Sequence, residues 1–257
     1  MADGPQDLTG RRALVTGGGV GIGASIARAL ADAGARVAVT YRTHVPDDDL
    51  LSELEQGAGR SPVAVQVDAA SEADVEAAVG AVVDEMGGLD ILVNNVGGLV
   101  TRATLRQLDL ATWRRILAVN LDSMFLFSHH ALPHLPRHAG GRIITMSSLA
   151  AHTGGHPGAL AYATAKAGVL GFTRALATEL GPEGITVNAV APGFIEATPF
   201  HDTFTTAESK QRTISGIPVG RAGRPEDVAG AVRWLASEAA SYVSGEVVNL
   251  NGAQHFH

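Results

Sequence analysis

The chain contains no cysteine. Disulfides, thiolate nucleophiles and cysteine-ligated metals are excluded. Aromatic residues are scarce, at 5%, while glycine and alanine abound, so tight turns and close helix–sheet packing are expected. Positive charge is also short: 19 Lys and Arg face 26 Asp and Glu, for a net charge of −7. No basic cluster stands out, and a nucleic-acid backbone needs a positive footprint, so no nucleic-acid partner is expected. No apolar run approaches the roughly 20 residues of a membrane helix. The opening "MADGPQDLTG" has neither the basic region nor the apolar core of a signal peptide. These absences lead to the expectation of a cytoplasmic protein that uses no membrane. What remains, 46% hydrophobic and 18% charged residues, is ordinary for a globular chain.

Seven short β-rich apolar runs recur: 12–17, 36–41, 62–68, 90–95, 141–148, 184–193 and 245–252. Most are continuous rather than alternating, as strands covered on both faces require. Amphipathic segments lie between them, among them 22–33, 72–87, 109–135, 162–180 and 226–237. Strand and helix in alternation predict an α/β fold, a doubly wound, seven-stranded parallel sheet of Rossmann type with helices on both faces. No Pro/Ser-rich linker divides the 257 residues, so one domain is expected. Residues 194–217 break the rhythm; they are polar and weakly periodic and follow a strand's C-terminal end. A lid over a substrate site is expected there, with a surface insertion as the bland alternative.

"VTGGGVGIGASIARAL" (15–30) runs off the first strand into a helix. Glycines at such a junction let the backbone turn sharply and approach a pyrophosphate, whose charge faces the free N–H groups of the helix start. The spacing, Thr16, Gly17, then Gly21, Ile22 and Gly23, with Gly19 between, resembles the TGxxxGIG form of the short-chain dehydrogenase/reductase family. The resemblance extends along nearly the whole chain. "NNVG" (94–97) is similar to that family's NNAG, and Asn120, Ser148, Tyr162 and Lys166 fill its catalytic positions. "APG" (191–193) is similar to its turn beside the nicotinamide. The resemblance therefore implies a dinucleotide cofactor held by Gly17, Gly19, Gly21, Ile22, Gly23, Tyr41, Arg42, Asp68, Asn94, Tyr162, Lys166, Ile195 and Thr198. It implies a homotetramer as well. The texture is similar to the 3-oxoacyl-(acyl carrier protein) reductase subgroup, although sugar, steroid and polyketide reductases share such strings.

The second strand ends at Tyr41 and Arg42 instead of the acidic residue that would bond an adenosine ribose. A guanidinium fork suits a phosphate, so NADP(H) is expected, with NAD(H) as the alternative. The absence of a basic residue in the glycine loop, where Val20 stands, and the acidic run Asp47, Asp48 and Asp49 count the other way. Asp68 either contacts adenine, as the resemblance implies, or caps the following helix.

Only two lysines stand against seventeen arginines, and one, Lys166, follows Tyr162 by four places. On a helix that spacing puts both on one face. A carbonyl reduced by hydride needs a proton for the developing alkoxide; a phenol can give it, and an adjacent ammonium stabilises the phenolate. Ser148 is expected to hold the substrate carbonyl, with Ser147 its rival. Asn120, by the resemblance, bonds a backbone carbonyl to seat a water near Lys166. The interval from Ser148 to Tyr162 is one residue longer than the commonest family interval, so loop 149–160, with His152 and His156, is expected to line the substrate pocket. No metal site is expected: His130, His134 and His138 share helical spacing, but Pro133 and Pro136 interrupt any helix. A G-x-S-x-G elbow is lacking, which argues against a serine hydrolase. The reading is an NAD(P)H-dependent oxidoreductase acting on a small ketone or secondary alcohol. The rival from another class is a dinucleotide-binding protein without turnover.

Overall fold

A computed structural model describes residues 6–138, 140–196 and 207–256. Seven parallel strands form one sheet in the order β3-β2-β1-β4-β5-β6-β7. They are β1 (Arg12–Val15), β2 (Arg36–Tyr41), β3 (Val63–Gln66), β4 (Ile91–Asn94), β5 (Arg142–Met146), β6 (Thr186–Pro192) and β7 (Val247–Leu250). Each falls within one of the seven apolar runs. The inner runs are continuous because both faces are covered, while the edge strand β3 is partly exposed. Val15, Val39, Val93 and Ile144 enter one core cluster, and Leu14, Ala38, Leu92 and Ile143 enter the other. Successive residues point to opposite sides of a strand, so a strand buried on both faces has no polar position to spare.

Helices α1 (Gly21–Asp32), α2 (Asp48–Ala58) and α9 (Pro225–Ala236) cover the first face. Helices α3 (Glu72–Met86), α5 (Ser123–Ala131) and α7 (Leu160–Leu180) cover the second. Helix α2 was not expected; the acidic run opens it, with the Asp47 carboxylate accepting from Leu50 N–H at 2.8 Å and Asp48 and Asp49 in its first turn.

The single helix expected over 109–135 is divided. Helix α4 (Leu110–Leu117) passes through a π turn at Ala118–Asp122 into α5, and a short 3₁₀ turn covers Leu132–His134. Within loop 149–160 lies a one-turn helix, α6 (Ala150–Thr153), ended by Gly154 and Gly155 in left-handed conformations. Inside 194–217 the described part holds α8 (Ala207–Ser215). No described helix is long and apolar enough to cross a membrane.

Strands β1 to β3 run outward in one direction and β4 to β7 in the other. The order reverses between β1 and β4, where connections leave on opposite sides and open a crevice at the strands' C-terminal ends.

Candidate active site

The crevice at that reversal is a cleft of about 670 Å³. Its floor is made where β1 and β4 end. The Thr16 hydroxyl accepts from Asn95 N–H at 2.9 Å and Val96 N–H at 3.1 Å, while the Asn95 amide donates to the carbonyls of Thr16 at 2.9 Å and Gly17 at 3.2 Å. Gly17, with φ +63°, turns the chain toward α1. A side chain at Gly23 would place its Cβ 2.2 Å from the Gly17 carbonyl. Only glycine permits this close crossing.

Helix α1 begins at Val20 with no side-chain cap and no acid in its first turn, whereas α2 and α3 are capped by Asp47 and Ser71. Its first N–H groups and the positive end of its dipole are left for an anion. Gly17, Gly21, Ile22, Gly23, Tyr41, Arg42, Asp68 and Ile195 all line the cleft. The residues present therefore fit a dinucleotide.

Two expected contacts are corrected. Asn94 does not reach the cleft: it is buried and donates from its amide to Ser128 Oγ at 3.0 Å. Neighbouring residues of an extended chain face opposite sides, and Asn95 is the one that lines the cleft. Gly19 does not line it either; it lies against His44 and Pro46, with room for no more than a tight contact. Thr198 lies outside the described residues. Helix α3 is capped by Ser71, not by Asp68. Asp68 instead accepts from Ala70 N–H at 3.1 Å and pairs with Arg42 at 3.2 Å.

At the other end of the cleft stand Ser148, Tyr162 and Lys166. The Tyr162 hydroxyl is hydrogen-bonded to Ser148, whose oxygen also accepts from Ala150 N–H at 3.2 Å. Ser147 points away and donates to the Lys166 carbonyl at 2.9 Å, so of the two serines only Ser148 is bonded to the phenol. Lys166 is 4% exposed. Its ammonium donates to the Met146 carbonyl at 2.8 Å and lies 5.8 Å from the centre of the Tyr162 ring.

Asn120 sits in the π turn, 1% exposed. Its amide donates to the carbonyls of Ile116 at 2.9 Å and Gly98 at 2.8 Å, and its oxygen accepts from Gly98 N–H at 2.9 Å. A Cβ at Gly97 would lie 2.7 Å from Lys166 Nζ and 2.8 Å from Asn120 Oδ1. The fourth residue of "NNVG" is a glycine because these two groups meet over it.

The expectation was an ammonium that stabilises the phenolate. Burial pushes the Lys166 ammonium from 10.5 down to about 8, which leaves it mostly charged at neutral pH. Burial likewise raises the Tyr162 phenol above its ordinary value, opposed in part by the Ser148 hydrogen bond. Desolvation disfavours the charged form of each group.

The substrate half is lined by Thr153 from loop 149–160 and Phe194 and Thr213 from 194–217, the two segments expected there, and by Leu99, Arg102 and Gln254, to which no motif pointed. His156 lines it, but His152 does not: it stacks on His255 with ring centres 5.8 Å apart. His255 thus packs on loop 149–160, and Gln254 reaches the cleft. Among the described residues no group of three or more His, Asp or Glu could hold a metal ion.

The family model described as enoyl-(acyl carrier protein) reductase matches residues 18–254. The chain belongs to the short-chain dehydrogenase/reductase family. This family member is 40% identical to a 3-oxoacyl-(acyl-carrier-protein) reductase of Aquifex aeolicus, over 95% of its own length and 97% of that protein's. It is 38% identical to cis-4-hydroxycyclohexanecarboxylate dehydrogenase of Sinomonas cyclohexanicum, over 94% and 95% of the two chains. Its fold is similar to that of a short-chain dehydrogenase of Burkholderia cenocepacia solved in complex with NADP, with a TM-score of 0.88 at 36% identity, covering 96% and 98%.

Proposed function

We propose that the protein is an NADP(H)-linked oxidoreductase interconverting a ketone and a secondary alcohol, with Tyr162 as its acid/base. The observation that carries this reading is the hydrogen-bonded Ser148–Tyr162 pair in the cleft that the uncapped start of α1 opens onto. Gly17, Gly21, Gly23 and the start of α1 would hold the pyrophosphate, and Arg42 the adenosine phosphate. A bound nicotinamide supplies or accepts the hydride. Ser148 holds the substrate oxygen, and Tyr162 delivers a proton to that oxygen as charge develops on it. Lys166 stands behind the phenol, and Asn120 fixes the backbone around Gly97 and Gly98 that Lys166 abuts. Asn120's oxygen beside Lys166 Nζ is a place where a water chain could end.

Arg42 bears on the choice of cofactor. Its partner Asp68 is exposed, as is Arg42 itself, and such a pair is worth only about 0–1 kcal/mol. The guanidinium can leave it for a phosphate. The acidic run that counted against NADP(H) is occupied in starting α2. Arg42→Ala is expected to lower kcat/KM with NADPH about tenfold or more, the worth of one charge-assisted contact, and to leave NADH rates nearly unchanged. Parallel assays of wild type and variant with both cofactors, on β-ketoacyl thioesters, cyclic ketones and sugars, test this. Tight NADPH binding without oxidation on any carbonyl would favour the non-catalytic rival.

We infer one domain and, from the described ends of 194–217, a lid: Phe194, Ile195 and Thr213 reach the cleft from both sides of that segment, of which 197–206 lie outside the described residues. A homotetramer is also inferred. Phe125 on α5, Leu110 on α4 and Leu160 on α7 are large, apolar and exposed, and association would cover them. Sedimentation velocity is expected to give four chains; a stable monomer would remove the idea.

A further inference from the structure

The substrate half of the cleft has one chemical bias. Arg102 and His156 line it, and among the described lining residues the sole carboxylate is Asp68, at the adenosine end and already paired with Arg42. In a chain of net charge −7, a wall with an arginine and a histidine but no acid is a local reversal of sign. The fold builds it. Ala103 N–H donates to the Gly158 carbonyl at 3.1 Å, tying the loop after β4 to the loop before α7. Gly158, with φ +82°, has Arg102 Cβ 3.3 Å from where its own Cβ would be. The two loops are therefore in register, and Arg102 stands beside the His156–Pro157 stretch.

Arg102 is exposed and makes no ion pair among the described residues; its one hydrogen bond there is a long 3.5 Å contact to the Pro157 carbonyl. Four of its five N–H donors remain for a ligand. Resting on the reading of the site as a ketoreductase, we propose that Arg102, with His156 beside it, binds a carboxylate on the substrate, so that the preferred substrate is an oxo acid and not a neutral ketone. A planar guanidinium fork matches a carboxylate in two parallel hydrogen bonds. Thr153 and Gln254 supply neutral polar contacts on the same half, while Leu99 and Phe194 supply apolar wall.

Arg102 and Tyr162 line one cleft, and the chain at Arg102 is tied to Gly158, four residues before Tyr162. A carboxylate on the substrate itself and a phosphate on a carrier arm share the chemistry that a guanidinium fork recognises, and paired assays distinguish the two.

The test compares 4-oxocyclohexanecarboxylate with its methyl ester, and acetoacetyl phosphopantetheine with acetoacetyl pantetheine, using NADPH. Wild type is expected to prefer the acid to the ester. Arg102→Ala is expected to lower the acid-to-ester ratio of kcat/KM about tenfold, mostly through KM, with Arg102→Lys between them because it keeps charge without the fork. An equal ratio in wild type and Arg102→Ala, or a loss confined to the phosphorylated thioester, overturns the proposal. Calorimetric titration of the NADP⁺-bound protein with unreactive cyclohexanecarboxylate and its carboxamide separates the two readings. Arg102-dependent binding of the carboxylate alone supports the subsite even if no ketone is reduced. Reduction of neutral ketones with no preference for the carboxylate in binding or turnover removes the subsite and leaves the reductase.

Discussion

Tyr162→Phe is expected to lower turnover by about 10²–10⁴-fold, the range of a positioned general acid, while the affinity for NADPH changes little. The change deletes one oxygen. The ring remains, and with it the packing that holds Lys166, whose ammonium is anchored to the Met146 carbonyl and not to the phenol. Ser148 loses its bonded neighbour but keeps the Ala150 N–H, so the loop it begins has a reason to stay in place. Stopped-flow turnover and fluorescence titration of NADPH together check the outcome. A variant with near wild-type kcat would show that the proton comes from elsewhere. One that lost cofactor binding in parallel would show that the hydroxyl's role is structural.

Lys166→Met is expected to abolish activity and, at neutral pH, to make the cofactor-free protein more stable. The ammonium is buried, and its affinity for a proton falls from 10.5 to about 8 as the chain folds around it. Between those two values the folded lysine is neutral while the unfolded one keeps its proton. The unfolded state then binds more protons, so stability rises with pH through that window. Below about pH 8 both states are charged, and the whole cost of burying the ammonium is present. At about 1.4 kcal/mol per pH unit that cost is roughly 3 kcal/mol. The methionine forgoes it but leaves the Met146 carbonyl without its donor, which returns about 1–3 kcal/mol. A net gain of up to about 2 kcal/mol is expected at pH 7, turning into a net loss of about 1–2 kcal/mol toward pH 10, where the burial cost has gone and the lost donor to the Met146 carbonyl remains. Urea denaturation of both proteins across that range measures it. Equal pH slopes for the two would mean that Lys166 titrates normally in the folded chain. Stability given up at a functional group in this way is a common trade.

Much of the site is legible in the chain because local pattern carries it. The glycine loop requires backbone crossing that no other residue permits, as the Gly17–Gly23 approach shows. Tyr162 and Lys166 share a helix, so their spacing alone puts them together. Asn120 is recognisable by motif, but the π turn that contains it is not. The widened turn and α4 pack against α7 while α5 packs against α3, and no residue type marks the turn. Loop 149–160 was expected at the pocket, yet its two histidines part company there: one lines the cleft and the other stacks on the C-terminal tail.

By itself the sequence determined the alternation of strand and helix, the dinucleotide end and the phenol–amine pair, since each depends on residues near one another along the chain. The tertiary structure alone decided that Asn95 and not Asn94 faces the cleft and that Lys166 loses its proton near pH 8, and it joined Ser148, which the sequence already preferred to Ser147, to the phenol. It also brought Arg102 and Gln254 to the substrate wall. Which side of a strand end opens to solvent, and how dry a buried ammonium becomes, are set by elements far away in sequence. Periodicity and spacing contain no term for them.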